Sequence, residues 1–334
     1  MDATVPIRSL SCSSLLGRPL LANARASWRD EYPFASQSME LDGHRYHYID
    51  EGQGPHTVLA VHGNPTWSFY YRALAAGLPL KDADAAPSRV IAVDHMGCGL
   101  SDKPQHYDYR LAKHRDNLLQ LIERLDLQRV TLVAHDWGGA IGLAAAVAQS
   151  QRFAAVVLLN TAAFPPPYIP RRISVCRWPV VGTLAMRGAN AFSRAAVTMA
   201  VNRRPLSQAA AAGLLAPYQN WHDRVAVNAF VKDIPMRKSH PTYRTLETLE
   251  QQLSCLSHLP TRFVWGMRDW CFRPECLYRL QEFFPKQQTQ ELADVGHYVM
   301  EEAPDEVLAA VRSVQAEVER TEGAKDDRHA VGDA

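Results

Sequence analysis

Short apolar runs rich in β-branched residues recur along this chain, separated by segments with helical character. The runs are TVLAVHG (57–63), RVIAVD (89–94), RVTLVAH (129–135), AAVVLLN (154–160) and RFVWG (262–266). Their hydrophobicity is continuous rather than alternating, which is typical of parallel strands covered on both faces. Amphipathic or small-residue segments, such as 111–125 and 138–149, lie between them. The alternation predicts an α/β fold with a mostly parallel, doubly wound sheet.

Length and composition narrow the class of protein. A chain of 334 residues with 47% hydrophobic residues can form one large α/β domain with an insertion. The net charge of +1 argues against a generally basic, nucleic-acid-binding protein. The six cysteines are scattered without a CxxC pair, which favours a reduced, cytoplasmic protein over a disulfide framework or a zinc site. We expect no metal, no cofactor and no membrane-spanning segment.

The alternation breaks between residues 164 and 240. This segment opens with FPPPYIPRR, contains no good strand, and is expected to form a helical cap after the sixth strand, above the strand ends. The hydrolase-like core then comprises residues 36–163 and 241–318. Residues 1–35 form an N-terminal extension, in which Arg8 and a short apolar patch leave a leader peptide open. Residues 319–334 are polar and aperiodic, and we expect a disordered tail.

The stretch VTLVAHDWGGAIGLAAA (130–146) has the pattern of a buried strand, a sharp turn and a helix. Ala134 and Gly138 lie two positions on either side of Asp136, which is the spacing of a nucleophile elbow. The alternative is that Asp136 only caps the following helix. A serine attacking an sp³ carbon would leave an ether, whereas a carboxylate leaves an ester that water can cleave. An aspartate at this turn therefore indicates attack on an alkyl carbon.

Two later strand ends supply partners for Asp136. His297, in GHYV, follows the last predicted strand, and Asp269, in WGMRDWCF, follows the strand before it. The chain order of nucleophile, acid and histidine is that of α/β-hydrolases. Asp269 as a helix cap and His297 as a structural loop residue are the alternatives. We predict a catalytic triad of Asp136, Asp269 and His297.

A further motif, HGNPTWSFYYR (62–72), follows the first of the apolar runs. The backbone N–H groups of Asn64 and Trp137 are expected to form an oxyanion hole. Their side chains add an amide and an indole N–H donor, which suit a departing anion. The alternative is that Trp137 only packs beneath the cap. We interpret three histidines near strand ends as structural: His62, His95 and His135.

Four motifs together carry a resemblance to a known family. HGNPTWS, DHMGCGLSDKP (94–104), AHDWGGA and DVGHYV resemble the haloalkane dehalogenase family of α/β-hydrolases, over residues 39–318. The resemblance implies an α/β-hydrolase fold. It also implies a carboxylate nucleophile, a histidine base and a halide-holding pair at Asp136, His297, Asn64 and Trp137.

The acid of the triad differs within that family. Some members carry it after the sixth strand, where this chain has LLNTAAF with Asn160 and no carboxylate, so the acid falls on Asp269. Serine esterases are set aside because residue 136 is not serine. Epoxide hydrolases usually carry an aromatic residue at the position of Asn64, and fluoroacetate-type enzymes an arginine at that of Trp137.

The cap segment and WGMRDWCFRPECL (265–277) are similar to the branch containing the β-lactone decarboxylases of bacterial long-chain olefin biosynthesis. That resemblance implies conversion of cis-3-alkyl-4-alkyl-oxetan-2-ones to cis-alkenes and CO₂, with attack on either the ring carbon or the carbonyl. The alternatives are a haloalkane dehalogenase working through an alkyl-enzyme ester and an idle scaffold that binds partners. Trp221, Phe230 and Ile234 are expected to line the pocket for the hydrophobic substrate.

The cap segment is strongly basic although the whole chain is nearly neutral. Residues 164–240 contain eleven Arg and Lys residues but only Asp223 and Asp233 as acids. These cations could be solvated side chains above an apolar lid. They could also form a docking face for an acidic enzyme of the olefin pathway or for a membrane surface.

Overall fold

The computed structural model describes residues 27–80 and 86–332, the last eight of these by their backbone alone. This part of the chain contains eight strands. They are β1 (Ser36–Leu41), β2 (His44–Glu51), β3 (His56–Val61), β4 (Ser88–Val93), β5 (Val130–Asp136), β6 (Phe153–Thr161), β7 (Thr261–Gly266) and β8 (Gln287–Leu292). The last six include the predicted runs, and β1 and β2 form an additional hairpin.

The eight strands form one sheet in the order β1-β2-β4-β3-β5-β6-β7-β8. Strand β2 pairs antiparallel with β1 and β4, and the pairs from β4 to β8 are all parallel. The order of β3, β4 and β5 places the carboxyl ends of β3 and β5 next to each other at one edge of the sheet. In such sheets this edge carries the functional residues.

Helices cover both faces of the sheet and form the cap. They are α1 (Arg72–Gly77), α2 (Leu111–Arg124), α3 (Trp137–Ala148), α4 (Arg171–Cys176), α5 (Val181–Thr183), α6 (Ala191–Met199), α7 (Gln208–Leu215), α8 (Val225–Asp233), α9 (Pro241–Gln252), α10 (Pro274–Gln281), α11 (Val299–Glu302) and α12 (Pro304–Gly332). Short 3₁₀ turns lie at Trp28–Glu31, Ser68–Tyr71, Ser150–Arg152, His222–Arg224 and Leu253–Leu256, and a π-helical turn at Leu184–Gly188.

The continuous hydrophobicity of the central strands has a direct structural reason. One apolar layer, with α2, α3, α9 and α10, packs on one face of the sheet, and a second layer, with α1, α11 and α12, packs on the other. Every residue of β5 is buried. The predicted α/β-hydrolase fold is confirmed, with α4 to α8 inserted after β6 as the helical cap.

The N-terminal extension is only partly described. Residues 1–26, where a leader peptide was left open, lie outside the described residues. The part that follows packs on the core: Trp28 meets Trp67 edge-on with ring centroids 5.9 Å apart, and Tyr32 lies 5.1 Å from the same ring. The described end of the extension is therefore anchored by aromatic packing.

The prediction of a disordered tail at 319–334 is wrong for residues 319–332, because α12 continues to Gly332. Two side-chain contacts hold the first part of this segment on the core. His56 Nε2 and Glu319 Oε1 are 2.8 Å apart, and Arg129 forms an ion pair with Glu322. A polar segment without proline can extend a helix whose preceding turns are already packed.

Membrane-spanning helices, disulfides and metal sites are the features on which the sequence expectations about the class of protein depend. None of their helices is both long and apolar enough to cross a bilayer. The five described cysteines are all free, and no group of His, Cys, Asp or Glu in this part of the chain has the geometry of a metal site.

Candidate active site

Asp136 ends β5 and directly precedes α3, in a strained backbone conformation with φ 54° and ψ −129°. Such a turn requires small neighbours. A Cβ on Gly138 would lie 2.0 Å from the carbonyl oxygen of Val61, and one on Gly63 would lie 2.1 Å from Oδ1 of Asp136. The close approach of β3 to the turn therefore explains the small-residue spacing of the nucleophile elbow.

The two carboxylate oxygens of Asp136 have different surroundings. Oδ1 accepts a hydrogen bond from the backbone N–H of Asn64 (2.7 Å), and the backbone N–H of Trp137 also donates to the carboxylate. Oδ2 faces the histidine, with Nε2 of His297 at 3.7 Å. The backbone amides expected to form an oxyanion hole thus both lie at the carboxylate of Asp136, and the bond from Asn64 to Oδ1 leaves Oδ2 as the oxygen that faces His297.

His297 lies between the two carboxylates, on the loop after β8. Its Nδ1 is 2.8 Å from Oδ2 of Asp269, and its ring stacks on Phe272 at 5.7 Å. Asp269 is almost completely buried, and its Oδ1 accepts the backbone N–H of Cys271 (2.6 Å). The structure therefore brings the three predicted triad residues together with the imidazole oriented toward Asp136.

The site also shifts the pKa values of two of these groups. Burial raises the pKa of Asp136, and the positive charge of His297 and the two backbone N–H donors offset part of this effect. Burial lowers the pKa of His297, but the charge and hydrogen bond of Asp269, followed by the charge of Asp136, raise it above its ordinary value overall. The raised pKa of His297 favours its protonated form, whereas the raised pKa of Asp136 makes its ionised form less favourable than that of a free carboxylate.

Asn160, at the end of β6, is a residue whose contact sequence reasoning did not anticipate. Its Nδ2 donates to Oδ2 of Asp269 (3.0 Å), and its Oδ1 accepts the backbone N–H of Gly266 (2.7 Å). Asn160 thus ties the acid to the end of β7. The sequence shows no carboxylate after β6, and this excluded the end of β6 as the position of the triad acid but did not predict the contact of Asn160.

The two residues predicted to donate to an anion, Asn64 and Trp137, both lie at the site, but their side chains make different contacts. The side-chain Nδ2 of Asn64 donates to the carbonyl oxygen of Val227 in α8 (3.2 Å), so one of its two N–H groups holds the cap. The ring of Trp137 packs against Phe230, with centroids 5.6 Å apart. Asn64 and Trp137 both line the cavity described next, where they can meet a ligand.

A cavity of about 330 Å³ extends from the triad into the cap. This is within the range typical of small-molecule sites. Its walls are mainly apolar and come from the proline-rich segment after β6, from α4 and α6, and from the loop after β7. Lining residues include Pro166, Tyr168, Ile173, Phe192, Ala195, Met199, Leu246 and Trp270. Sequence reasoning did not find these residues individually because their side-chain directions depend on how the cap packs.

Of the three residues predicted to line the pocket, Ile234 lies in the cavity wall. Phe230 does not: it is fully buried behind Trp137 and stacks on His114 at 4.5 Å. Trp221 is 44% exposed, with Arg187 over its ring at 4.6 Å. The face of α8 that carries Phe230 packs on the core, and Trp221 lies outside on the surface.

The histidines interpreted as structural make backbone contacts. The ring of His62 lies between the carbonyl oxygen of Gly63 (2.7 Å) and the backbone N–H of His95 (3.0 Å). His135 Nε2 donates to the carbonyl oxygen of His297 (2.9 Å), which fixes the loop that carries the triad histidine. Burial lowers the pKa of all three, His62, His95 and His135, so they are held neutral.

The chain is similar to several known proteins. The family model described as alpha/beta hydrolase fold matches residues 56–304. A cis-3-alkyl-4-alkyloxetan-2-one decarboxylase of Shewanella oneidensis is 39% identical over 293 residues, covering 86% of this chain and 90% of the relative. Haloalkane dehalogenase 2 of Mycobacterium tuberculosis is 32% identical, covering 84% of this chain and 94% of the relative.

Solved structures agree on the fold. A loop variant of haloalkane dehalogenase DbeA from Bradyrhizobium elkanii has a TM-score of 0.77 at 22% identity, covering 87% of this chain and 99% of that chain. Haloalkane dehalogenase DpaA from Paraglaciecola agarilytica has a TM-score of 0.68 at 27% identity, covering 84% and 93%. The chain belongs to the α/β-hydrolase family, in the group that holds the haloalkane dehalogenases and the cis-3-alkyl-4-alkyloxetan-2-one decarboxylases.

Proposed function

We propose that this chain is a decarboxylase that converts cis-3-alkyl-4-alkyloxetan-2-ones, β-lactones with two alkyl chains, to cis-alkenes and CO₂ in olefin biosynthesis. The observation that carries the proposal is the free Oδ2 of Asp136, which lies beside His297 at the inner end of an apolar cavity. Two relatives that bear this activity in their names, from Shewanella oneidensis and Xanthomonas campestris, are 39% and 34% identical to the chain.

The chemistry we propose begins at the ring carbon that bears the lactone oxygen. Oδ2 of Asp136 attacks this carbon with inversion, the carbon–oxygen bond breaks, and the electron pair leaves on the released carboxylate. The carbon–CO₂ bond then breaks, its electrons form the double bond, and Asp136 is expelled as a carboxylate. Inversion followed by anti elimination converts a cis lactone to a cis alkene, with no water consumed.

The donors of the site fit the charge that develops in this route. The released carboxylate forms near Asn64 and Trp137, where side-chain N–H groups can receive it. Because no water must be deprotonated, His297 can stay protonated and stabilise negative charge, which agrees with its raised pKa. Attack of Asp136 at the lactone carbonyl, giving an anhydride, is the competing route.

A haloalkane dehalogenase is the second candidate, favoured by the same Asn64 and Trp137 pair and by the 32% identical relative. Here Asp136 forms an alkyl ester and expels halide, and His297 deprotonates a water that attacks the ester carbonyl. This step needs a neutral His297, so hydrolysis is lost as the pH falls through the raised pKa of His297. Decarboxylation continues to lower pH, until Asp136 itself is protonated.

The test offers the purified protein a cis-dialkyl β-lactone and a 1-bromoalkane in parallel. Alkene detected by gas chromatography supports the decarboxylase, and bromide release without alkene supports the dehalogenase. If neither product is detected, the remaining alternative is a catalytically idle scaffold that binds partners. Asp136→Asn should abolish whichever activity is found, while Asp294→Asn should not, because Asp294 is an exposed partner of Arg203.

Isotope labelling separates the routes at Asp136. Single turnover in ¹⁸O water should leave the peptide containing Asp136 unlabelled if attack occurs at the ring carbon and elimination follows. Label in that peptide would show that water attacked an enzyme-bound ester or anhydride, which contradicts the elimination route. Hydrolysis of a haloalkane in the same water provides the positive control.

Two further aspects of the function are part of the same proposal. We propose a cytoplasmic location from the sequence pattern of six scattered cysteines without a CxxC pair. The basic cap provides a surface either for another enzyme of the olefin pathway or for a membrane.

A further inference from the structure

The cap exposes an unusual concentration of apolar side chains. Eight of the eleven large hydrophobic side chains that are exposed in the described chain lie in residues 164–240. Five of them fall within ten residues, and we name these the apolar cap patch: Val175, Trp178, Val180, Val181 and Leu184. Each is between 49% and 69% exposed. Contiguous exposed apolar residues on this scale are typical of an interaction surface.

The backbone beneath the patch is held in place. The guanidinium of Arg177 donates to the carbonyl oxygens of Val231 (2.5 Å) and Lys232 (2.7 Å) at the end of α8, and Lys232 Nζ donates to Thr183 (2.8 Å). Val180 has a φ of 61°, in a γ-turn closed by a hydrogen bond from Val181 to Pro179. A β-branched residue adopts this conformation at a cost, and here the turn keeps apolar side chains pointing outward.

The patch adjoins the mouth of the cavity. Helix α4 contributes Arg172, Ile173 and Cys176 to the cavity lining and Val175 to the patch. Arg172 is exposed, so this part of the lining meets solvent. After α8, whose last turn Arg177 contacts, Ile234 lines the cavity and Met236 is 51% exposed. A surface that covers the patch therefore lies next to the substrate entrance.

The exposed charges that the cap carries on α4 and after Met236 are all positive. Exposed cations stand on α4 and after Met236: Arg171, Arg172, Arg237 and Lys238. The two acids of the cap are committed elsewhere. Asp233 is buried and accepts hydrogen bonds from Leu111 and Thr242, while Asp223 accepts from the backbone of Gln219 and Asn220. The partner that complements this face is apolar in its interior and anionic at its surface.

We infer that the apolar cap patch docks the enzyme on an anionic lipid bilayer, with the cavity mouth turned toward substrate dissolved in the membrane. The inference rests on the proposed function, because a lactone with two long alkyl chains and its alkene product both partition into lipid. Aliphatic and Trp side chains flanked by Lys and Arg are the composition of interfacial membrane-binding segments. Attraction to anionic lipid adds to their insertion and is weakened by salt.

The test is flotation of the full chain with vesicles of phosphatidylcholine containing phosphatidylglycerol, compared with phosphatidylcholine alone. We expect binding to the anionic vesicles that weakens at high salt. The variant W178S/V181S/L184S should bind at least about tenfold less, and R171Q/R237Q/K238Q should lose the preference for anionic lipid. The matched controls are Tyr278→Ser, an equally exposed apolar residue on α10, and Lys286→Gln, an exposed cation outside the cap.

Three results would overturn the inference. They are no binding of the wild type to anionic vesicles, equal binding of W178S/V181S/L184S, and self-association of the wild type that this variant abolishes, which would show a second copy on the patch. None of the three substituted residues lines the cavity. The variant should therefore keep its turnover of a short-chain lactone in solution and lose turnover only of a long-chain lactone in vesicles. Vesicle binding by a protein inactive on every lactone would refute the proposed function and not the docking.

Discussion

The carboxyl edge of the sheet and the cap above it are built in opposite ways. At the sheet edge, Asp136, Asp269 and His297 are buried, and each is fixed by hydrogen bonds from strand ends and adjoining loops. The cap consists of short helices and turns, and it exposes apolar side chains and unpaired cations. Under the proposed function, this difference assigns bond breaking to the core and the selection and approach of the substrate to the cap.

The largest expected effect comes from the core. Asp136→Asn keeps the size of the side chain and an oxygen for the backbone N–H groups of Asn64 and Trp137, but it removes the nucleophile. We expect kcat to fall at least about 10³-fold, without loss of the fold, because the substitution removes a buried charge. Steady-state kinetics and thermal unfolding check both parts. Turnover near the wild-type rate would refute the assigned role.

A second substitution acts on the histidine through its partner. Asp269→Asn removes the charge that raises the pKa of His297, so this pKa should fall, and activity should drop by about 10²–10⁴-fold. NMR titration of the imidazole measures the shift, and kinetics measure the loss. Asp294→Asn, on the exposed surface near the same loop, is the control and should change neither.

The cap should affect selectivity rather than chemistry. Ala195 lines the cavity from α6, so Ala195→Phe should lower kcat/KM for long-chain lactones by about 10–100-fold and affect short-chain lactones much less. Thr198→Phe, on the exposed side of the same helix, is the matched control. Equal losses for all chain lengths would mean that the α6 wall does not hold an alkyl chain.

The smallest expected effect concerns stability where cap and core meet. Burial raises the pKa of Asp233 to about 6, although hydrogen bonds from Thr242 and Leu111 oppose this. A carboxyl with a raised pKa in the fold favours folding when protonated, so its contribution is present at acid pH and is lost as the pH rises through about 6.

Asp233→Asn should remove this pH dependence. Between acid and neutral pH, the wild type should lose about 1–3 kcal/mol of unfolding free energy relative to the variant. Urea unfolding at several pH values checks the difference. The control is Asp223→Asn, at a half-buried cap carboxylate, which should follow the wild type. A wild type that gains stability relative to the Asp233 variant as the pH rises would contradict the raised pKa.

The sheet, and the meeting of Asp136, Asp269 and His297 at its edge, were predictable because each depends on local sequence. Continuous apolar runs predicted the buried strands, and the residues that directly follow these runs predicted which side chains meet at the carboxyl edge of the sheet. The lining of the pocket was not predictable in the same way. Phe230 and Ile234 are four residues apart on one cap segment, yet only Ile234 reaches the cavity. The tail was misjudged because its helical continuation depends on contacts with distant parts of the core.

The sequence by itself determined that a carboxylate stands at the elbow and that histidine and acid follow in the order of α/β-hydrolases. Both features depend only on which residue types follow the buried strands and on their spacing in the chain. Only the tertiary structure decided that Oδ1 of Asp136 is held and Oδ2 is free, that Asn160 holds the acid, and which cap residues face the cavity or the solvent. Contacts between residues far apart in the chain set these features, and local patterns do not encode them.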